Sequence, residues 1–553
     1  MPSGLPLPDP GAPLPSGPPM PSGPPVPDPG GCRGSGVYLD YAASTPVDPQ
    51  VAAAMAAVLA GIGGNPAATT HAWGRRAAQQ VEQARAQVAA LIGARPGEIV
   101  FTSGATESDN LAVLGAARGL CDRGRHLITA RTEHKAVLDA CRRLAREGFT
   151  VTWLDPGPAA AVTPAAVRAA LRPDTVLVTL MHVNNETGVV QDIEGIGAVC
   201  AEQGVVFHTD AAQSAGRLPL QVARLPVDLL SLSAHKLHGP QGIGALYVRA
   251  GLRPRLAPLM AGGEQEGGLR PGTLATHLAV GFGCACELAA AALPGEAERL
   301  AVLRQRLAGA LAALGGVHLN GDAAPHVPDI LNASFEGVEG ESLIAALPEL
   351  GVSTGAACNS AHGEPSYVLR ALGRSAALAE SSLRFSFGRF TQLEDIDRAA
   401  AAVTRAVTRL RSVSPAASTS PAPGQVLAPP SGDTYSARVR ELFATLPHAG
   451  VIADSAGRVL RGEAGAASEG AWVRMHLLVA DGRVIDARFQ GLGCPHTLAT
   501  AAWLAGRLPG RELAQAVPES PESWARDLAV PTEKLGRLLL IEDALHAALG
   551  HGL

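Results

Sequence analysis

Lysine is almost missing from this chain: Lys135, Lys236 and Lys534 are the only three, and arginine makes up the rest of the 45 basic residues. Those arginines are spread along the sequence rather than clustered, and the net charge is −5, which argues against a nucleic-acid footprint. Cysteine is scarce too. Eight cysteines in 553 residues, none in a C-x-x-C spacing, suit neither a disulfide framework nor a zinc site of that kind. No run reads as long and apolar enough to span a membrane, and the N-terminus lacks the basic start and apolar core of a secretory signal. The expectation is a cytoplasmic, thiol-keeping protein with neither nucleic acid nor membrane as partner. Aromatics are only 4% while alanine and glycine dominate, a bias that makes surface composition a poor guide to function.

What is present then carries more weight. Lys236 lies in Ser233-Ala234-His235-Lys236-Leu237-His238-Gly239-Pro240, directly after the apolar run 227–232. In a chain whose default cation is arginine, a retained lysine suggests work that arginine cannot do. Schiff-base formation is such work, because it needs an amine able to lose its proton.

The chain divides by composition. Residues 1–36 are rich in Pro, Gly and Ser and are expected to be disordered; a second Pro/Ala/Ser stretch, 413–433, reads as a linker. Between them, 37–412 alternates short apolar strands (98–102, 126–130, 150–154, 175–181, 205–209, 227–232 and 243–248) with helical segments that include 107–118, 136–147 and 193–203. That alternation predicts an α/β fold with a largely parallel, helix-covered sheet, and ligands of such folds gather at the carboxyl ends of the strands. Cys284 and Cys286, two apart in an alanine-rich helical stretch, read as small core residues.

The polar residues collect at those ends. Thr102-Ser103-Gly104-Ala105-Thr106 opens a helix whose free N–H groups suit an anion such as phosphate. His134 follows a second strand, and His182, Asn184, Asn185 and Glu186 follow a third. Asp210, with Gln213 beyond it, ends a fourth; a carboxylate beside an apolar sheet needs a partner, and a protonated pyridine nitrogen would suit it.

Here the residues reach a family. Tyr38-Leu39-Asp40-Tyr41, Phe101 to Asn110, Thr132 to Leu138, Met181 to Glu186 and Glu364 to Gly373, in that order, resemble the IscS/NifS-type cysteine desulfurases of the class V aminotransferase family. The resemblance covers 37 to about 411. It implies the pyridoxal 5'-phosphate (PLP) fold type I: a large, mainly parallel sheet domain with a small α+β domain. It also implies roles. Lys236 would hold PLP, Asp210 would pair with the pyridinium nitrogen, and His134 would stack on the ring and move protons. Asn185 and Gln213 would bond the phenolic oxygen side, and Ala105, Thr106, Ser233 and His235 would cradle the phosphate. Thr273, in Arg270-Pro271-Gly272-Thr273, would complete that cradle from a neighbouring subunit, so a homodimer is expected. Arg384, with Asn185, would bind the carboxylate of the substrate L-cysteine.

Cys358 sits in a small, polar, glycine-flanked stretch without helical or strand period, where an exposed thiol is expected. The resemblance makes it the nucleophile: its thiolate would take the substrate's sulfur as a persulfide and leave alanine, for delivery to a sulfur acceptor or iron–sulfur scaffold. In transit it would also serve as a ligand to a forming cluster, and no resident metal is expected. A selenocysteine lyase-like PLP enzyme, or a non-catalytic docking protein that has kept the fold, are the other readings.

Residues 434–553 differ in character. Gly482 to Phe489, Gly493-Cys494 and Glu542 to Leu545 resemble the IscU/NifU scaffold domain, also α+β, which binds its cluster through three cysteines aided by Asp and His. At the matching positions this chain has Glu469, Ala471, Gly536 and Arg537, and only Cys494 remains. One thiolate does not hold a cluster whose irons need about four ligands. The domain is expected to be either a tethered sulfur acceptor through Cys494, with His496 nearby, or a binding module.

Overall fold

Strand and helix positions follow the apolar rhythm of the sequence closely. The computed structural model describes residues 36–157, 160–354, 365–415, 426–427, 429–430 and 434–550. The expected disorder of 1–36 therefore falls almost wholly outside the described residues, as does most of the expected linker. Seven strands form the main sheet, in the spatial order Ile99–Thr102, Gly244–Val248, Leu229–Ser233, Val206–Asp210, Thr175–Thr179, His126–Ala130 and Thr150–Leu154. All neighbours pair in parallel except those involving Gly244–Val248, which runs antiparallel to both of its partners. The helices Ala105–Gly119, Lys135–Arg146 and Ile193–Glu202 cover the faces, so most of these strands are buried on both sides. That explains why they read as continuous apolar runs and not as alternating ones.

The structure departs from the sequence reading in the longest helix. The helix Thr276–Ala312 runs for 37 residues and is, by length and composition, apolar enough to cross a membrane. It packs along the helices Ala72–Ile92 and Pro49–Leu59. Its apolar side, including Phe282 and Cys286, lies in the protein core, while Cys284, two residues before Cys286, is only partly buried.

A smaller antiparallel sheet (Ser353–Thr354, Ser382–Ser386, Ile330–Phe335, Val317–Leu319) follows, covered by the helix Leu393–Arg411. The last region is a three-stranded antiparallel sheet (Arg458–Ala466, Ala471–Ala480, Arg483–Leu492) with helices Ala437–Thr445, Pro495–Ala505, Pro521–Leu528 and Leu535–Leu549. It is not held at a distance. One continuous apolar core runs from Leu343 and Leu347 through Val413 to Phe443, Leu498 and Trp524. Polar contacts cross the same seam: Ser342 Oγ donates to the Gly493 carbonyl at 2.6 Å, and Gly491 N donates to the Val413 carbonyl at 2.6 Å. Val413 and Ser414, assigned to the linker from composition, are thus buried seam residues.

Candidate functional site

The strand ends converge on a cavity of about 590 Å³. Its wall includes Ala105, Thr106, His134, Asn185, Asp210 and Gln213. Ser233, His235, Lys236 and Arg384 complete the expected set lining it. Thr273 is not among them; it is exposed on the chain's own surface, beyond Arg270, whose Nε pairs with Glu107 at 3.0 Å on the cavity's rim. Cys358 lies outside the described residues. Thr354, four residues before it, lines the cavity.

At one end of the cavity the helix Ala105–Gly119 starts. Its N-cap, Gly104, has φ 152° and ψ 178°, a region essentially reserved for glycine, and contributes no side-chain cap. A Cβ built on Gly104 would meet no atom within 4 Å, so the backbone here stands open to the cavity. Gly244 lets the helix start come this close, since a Cβ there would sit 2.7 Å from Gly104 Cα. The first-turn N–H groups have no intrahelical partner, and Ser233 Oγ is buried beside them without a hydrogen-bond partner among the described residues. Such an end is built for an anion.

Asp210 closes the strand Val206–Asp210, with Oδ1 accepting from Ala212 N at 2.9 Å. Burial raises its pKa, the mark of a carboxylate still short of a cationic partner. His134 caps the helix Lys135–Arg146, its Nδ1 accepting from Ala136 N at 3.2 Å. That bond leaves Nε2 as the protonated nitrogen of a ring which burial holds neutral. Asn185 Oδ1 is buried and has no hydrogen-bond partner among the described residues. Gln213 has its amide committed elsewhere: Nε2 donates to the Ala42 carbonyl at 2.8 Å, and Oε1 accepts from Arg217.

Lys236 Nζ donates to the carbonyls of Ala42 and of Ala43, the latter at 2.8 Å. Burial, then the nearby Arg384 and Arg217, bring its pKa down to about 7. An ordinary lysine is protonated throughout the physiological range; this one gives up its proton far more readily. Arg384 donates through Nη2 to Asp40 Oδ1 at 2.8 Å and through Nη1 to the Asn185 carbonyl at 2.8 Å, while its Nε has no partner among the described residues.

Sequence reasoning missed the layer beneath Asp210. His208, two residues earlier on the same strand face, is fully buried. It bonds Thr179 Oγ1 at 2.8 Å and Ser231 Oγ at 3.0 Å, with Asp109 Oδ1 3.7 Å away. Burial drives His208 down to about 3 and pushes Asp109 well above the usual carboxylate range, so neither adds a formal charge beside Asp210. The two-residue spacing of His208 and Asp210 was the available signal.

These features fit PLP. The uncapped helix start and the orphaned Ser233 hydroxyl suit its phosphate, the under-compensated Asp210 its ring nitrogen, and the low-pKa Lys236 its aldehyde. An iron–sulfur cluster does not fit the last domain. Cys494 is its only cysteine, 1% exposed at the N-terminus of the helix Pro495–Ala505, with its thiol pKa raised by burial and by Glu341 and Glu339.

Comparison with known proteins agrees with this geometry. The aminotransferase class-V family model matches residues 37–399, and the NifU-like N-terminal domain model matches 434–551. The cysteine desulfurase IscS of Methylococcus capsulatus is 55% identical over 379 residues, spanning 68% of this chain and 94% of its own length. The IscS of Azotobacter vinelandii is 55% identical over 381 residues, with the same coverage of 68% and 94%. Among solved structures, a NifS-like protein at 33% identity gives a TM-score of 0.63 over 68% of this chain and 100% of its own. A structure described as SspA in complex with cysteine, at 40% identity, gives 0.58 over 64% and 100%. With two family models and full-length relatives on one side, and a cavity shaped for their cofactor on the other, the chain belongs to the class-V aminotransferase family, as an IscS/NifS-type, PLP-dependent cysteine desulfurase that also carries a NifU-like domain.

Proposed function

We propose that this cysteine desulfurase moves sulfur from L-cysteine to Cys358 with the division of labour that its cavity suggests. Bound PLP supplies the sink for the electron pair left when the substrate's α-proton is removed. Lys236 would anchor it and, once the substrate's amine has displaced it from the cofactor, its released amine would take that proton; burial, which lowers its pKa to about 7, favours the unprotonated form this needs. Asp210 would keep the ring nitrogen protonated, and His134 would offer its Nε2–H for proton transfer. Arg384 seats the substrate carboxylate, exchanging its bond to Asp40 for one to the ligand.

Cys358 attacks the substrate's sulfur as a thiolate. The C–S bond breaks, the sulfur stays on Cys358 as a persulfide, and the carbon skeleton leaves as alanine after protonation. What carries this reading is the convergence of Lys236, Asp210, His134 and Arg384 on one cavity with Thr354 in its wall. Four residues of chain reach about 14 Å at most, the span from Thr354 within which this reading needs the Cys358 thiol to act. The test is alanine formation by the full chain from L-cysteine and, separately, from L-selenocysteine. Turnover of the selenium substrate alone would favour the lyase reading instead.

Thr273 supports a homodimer, in which the partner's Thr273 closes the phosphate end of each cavity. A reducing, cytoplasmic setting suits a thiol nucleophile. For the NifU-like domain we favour a docked binding module, on the strength of the shared core and the buried Cys494. In the acceptor reading, Cys494 would have to emerge from the seam to meet the persulfide. Mass spectrometry of Cys494 after turnover decides this, and sulfur found there would favour the acceptor.

A further inference from the structure

The seam between the two domains holds a second cluster of reactive groups, outside the desulfurase cavity. Glu341, from the helix Gly340–Ala345, faces Cys494 and His496 of the NifU-like domain, and one donor atom of each lies within 4.8 Å of the others. His496 is 1% exposed, and neither of its ring nitrogens has a hydrogen-bond partner among the described residues. Buried polar atoms in native proteins are nearly always satisfied, so a doubly orphaned imidazole asks for a ligand. Its ring packs against Tyr435 at 5.0 Å, which fixes it in place without occupying either nitrogen.

The donors are a thiol, an imidazole and a carboxylate, a mixed set that suits zinc or a similar divalent ion. A tetrahedral zinc site places its donors about 3.3–3.8 Å apart, so modest side-chain movement closes the set. Glu341 Oε1 already accepts from Tyr435 OH at 2.9 Å, and Oε2 accepts from Lys534 Nζ at 2.7 Å. A carboxylate has lone pairs to spare for an ion beside such bonds, and these bonds orient it as an outer layer does in metal sites. The Glu341 side chain keeps 34% of its surface exposed, which provides a way in.

We infer that Glu341, Cys494 and His496 form a mononuclear divalent transition-metal site of zinc type that clasps the NifU-like domain onto the desulfurase. The cluster cysteines of a scaffold are gone, and the one that remains is recruited into a different site, completed by the neighbouring domain. Binding closes metal–sulfur, metal–nitrogen and metal–oxygen bonds and releases the thiol proton to water; nothing is oxidised or reduced. Thiolate and carboxylate together balance the ion's charge. This site is independent of the sulfur chemistry, and its test reads metal, not alanine.

The experiment uses full-length, cofactor-loaded protein carrying Cys358→Ser, freed of metal by a chelator and titrated with Zn²⁺ alone, then with Co²⁺. The expected result is one equivalent per chain, a raised melting temperature, and thiolate-to-cobalt charge-transfer absorption. Cys494→Ser and Glu341→Gln should each weaken binding at least about tenfold. Glu341→Gln, on a partly exposed side chain, keeps the test valid should Cys494→Ser misfold. Lys534→Met should retain the equivalent and bind more tightly, since it removes a competing cation. The inference is overturned if no stoichiometric Zn²⁺ binds or if Glu341→Gln binds as the parent does. It is equally overturned if Lys534→Met loses the ion, because binding would then follow the integrity of the seam and not the three donors.

Discussion

Arg384 Nη2 rests 2.8 Å from Asp40 Oδ1, an ion pair between residues near opposite ends of the desulfurase domain. The strand Ser382–Ser386 and the segment at Asp40 are joined by a parallel bridge at Ser386, which sets the pair in place. Asp40 thus pairs with the guanidinium that we propose receives the substrate carboxylate. Arg384→Lys removes the planar, bidentate geometry while keeping the charge. Charge-assisted hydrogen bonds contribute about 1.5–3 kcal/mol, so kcat/KM for L-cysteine should fall roughly 10- to 150-fold, mainly through KM. Steady-state kinetics with unchanged cofactor absorbance would show it.

Lys236 carries the pH prediction. Its pKa, lowered to about 7, means that the free amine fraction rises about tenfold per pH unit below 7 and levels off above it. The rate at which cofactor-free protein captures PLP should follow the same curve. Stopped-flow absorbance from pH 5.5 to 9.5 measures this. A rate that keeps climbing to pH 9.5 would mean an ordinary lysine and would remove the electrostatic argument for its role.

His134→Ala should lower kcat by about 10²–10⁴-fold, the range for losing a positioned proton-transfer group. The variant also loses the cap on Lys135–Arg146, which costs about 1 kcal/mol. His134→Asn retains a capping side chain, so it should recover the stability and not the rate. Thermal melts beside kinetics separate the two effects.

Much of this was legible in the sequence because buried parallel strands are short, apolar and ended by polar residues. Candidate strands 126–130 and 150–154 coincide with the observed ones, and ten of the expected cofactor and substrate residues, Lys236 among them, meet in one cavity. Other features could not be read along the chain. The Asp109–His208 pair joins a helix to a strand about a hundred residues on, so the His208–Asp210 spacing pointed to His208 while nothing local marked Asp109 as its partner. The length of Thr276–Ala312 was hidden by Pro294, which reads as a helix breaker but lies inside the helix. The seam was hidden for a similar reason: composition marks 413–433 as a linker, yet Val413 is fully buried because a neighbouring domain covers it.

The shared core makes a stability prediction of its own. Trp524 is fully buried, and its indole N–H donates to the Pro518 carbonyl at 2.5 Å. Trp524→Ala should destabilise the protein by about 3–5 kcal/mol. Ser342→Ala leaves the buried Gly493 carbonyl without its donor and should cost about 1–3 kcal/mol. Because one core spans both domains, the NifU-like domain and the small sheet should melt together in each variant. Two separated calorimetric transitions would contradict a shared core.

The most direct measurement is alanine release from L-cysteine by the full chain and by Cys358→Ser, each loaded with PLP and given a reductant. The account predicts steady alanine production by the parent. The variant should show the same cofactor absorbance with no alanine above background. If Cys358→Ser still releases alanine at the parent rate, Cys358 is not the residue that takes the sulfur.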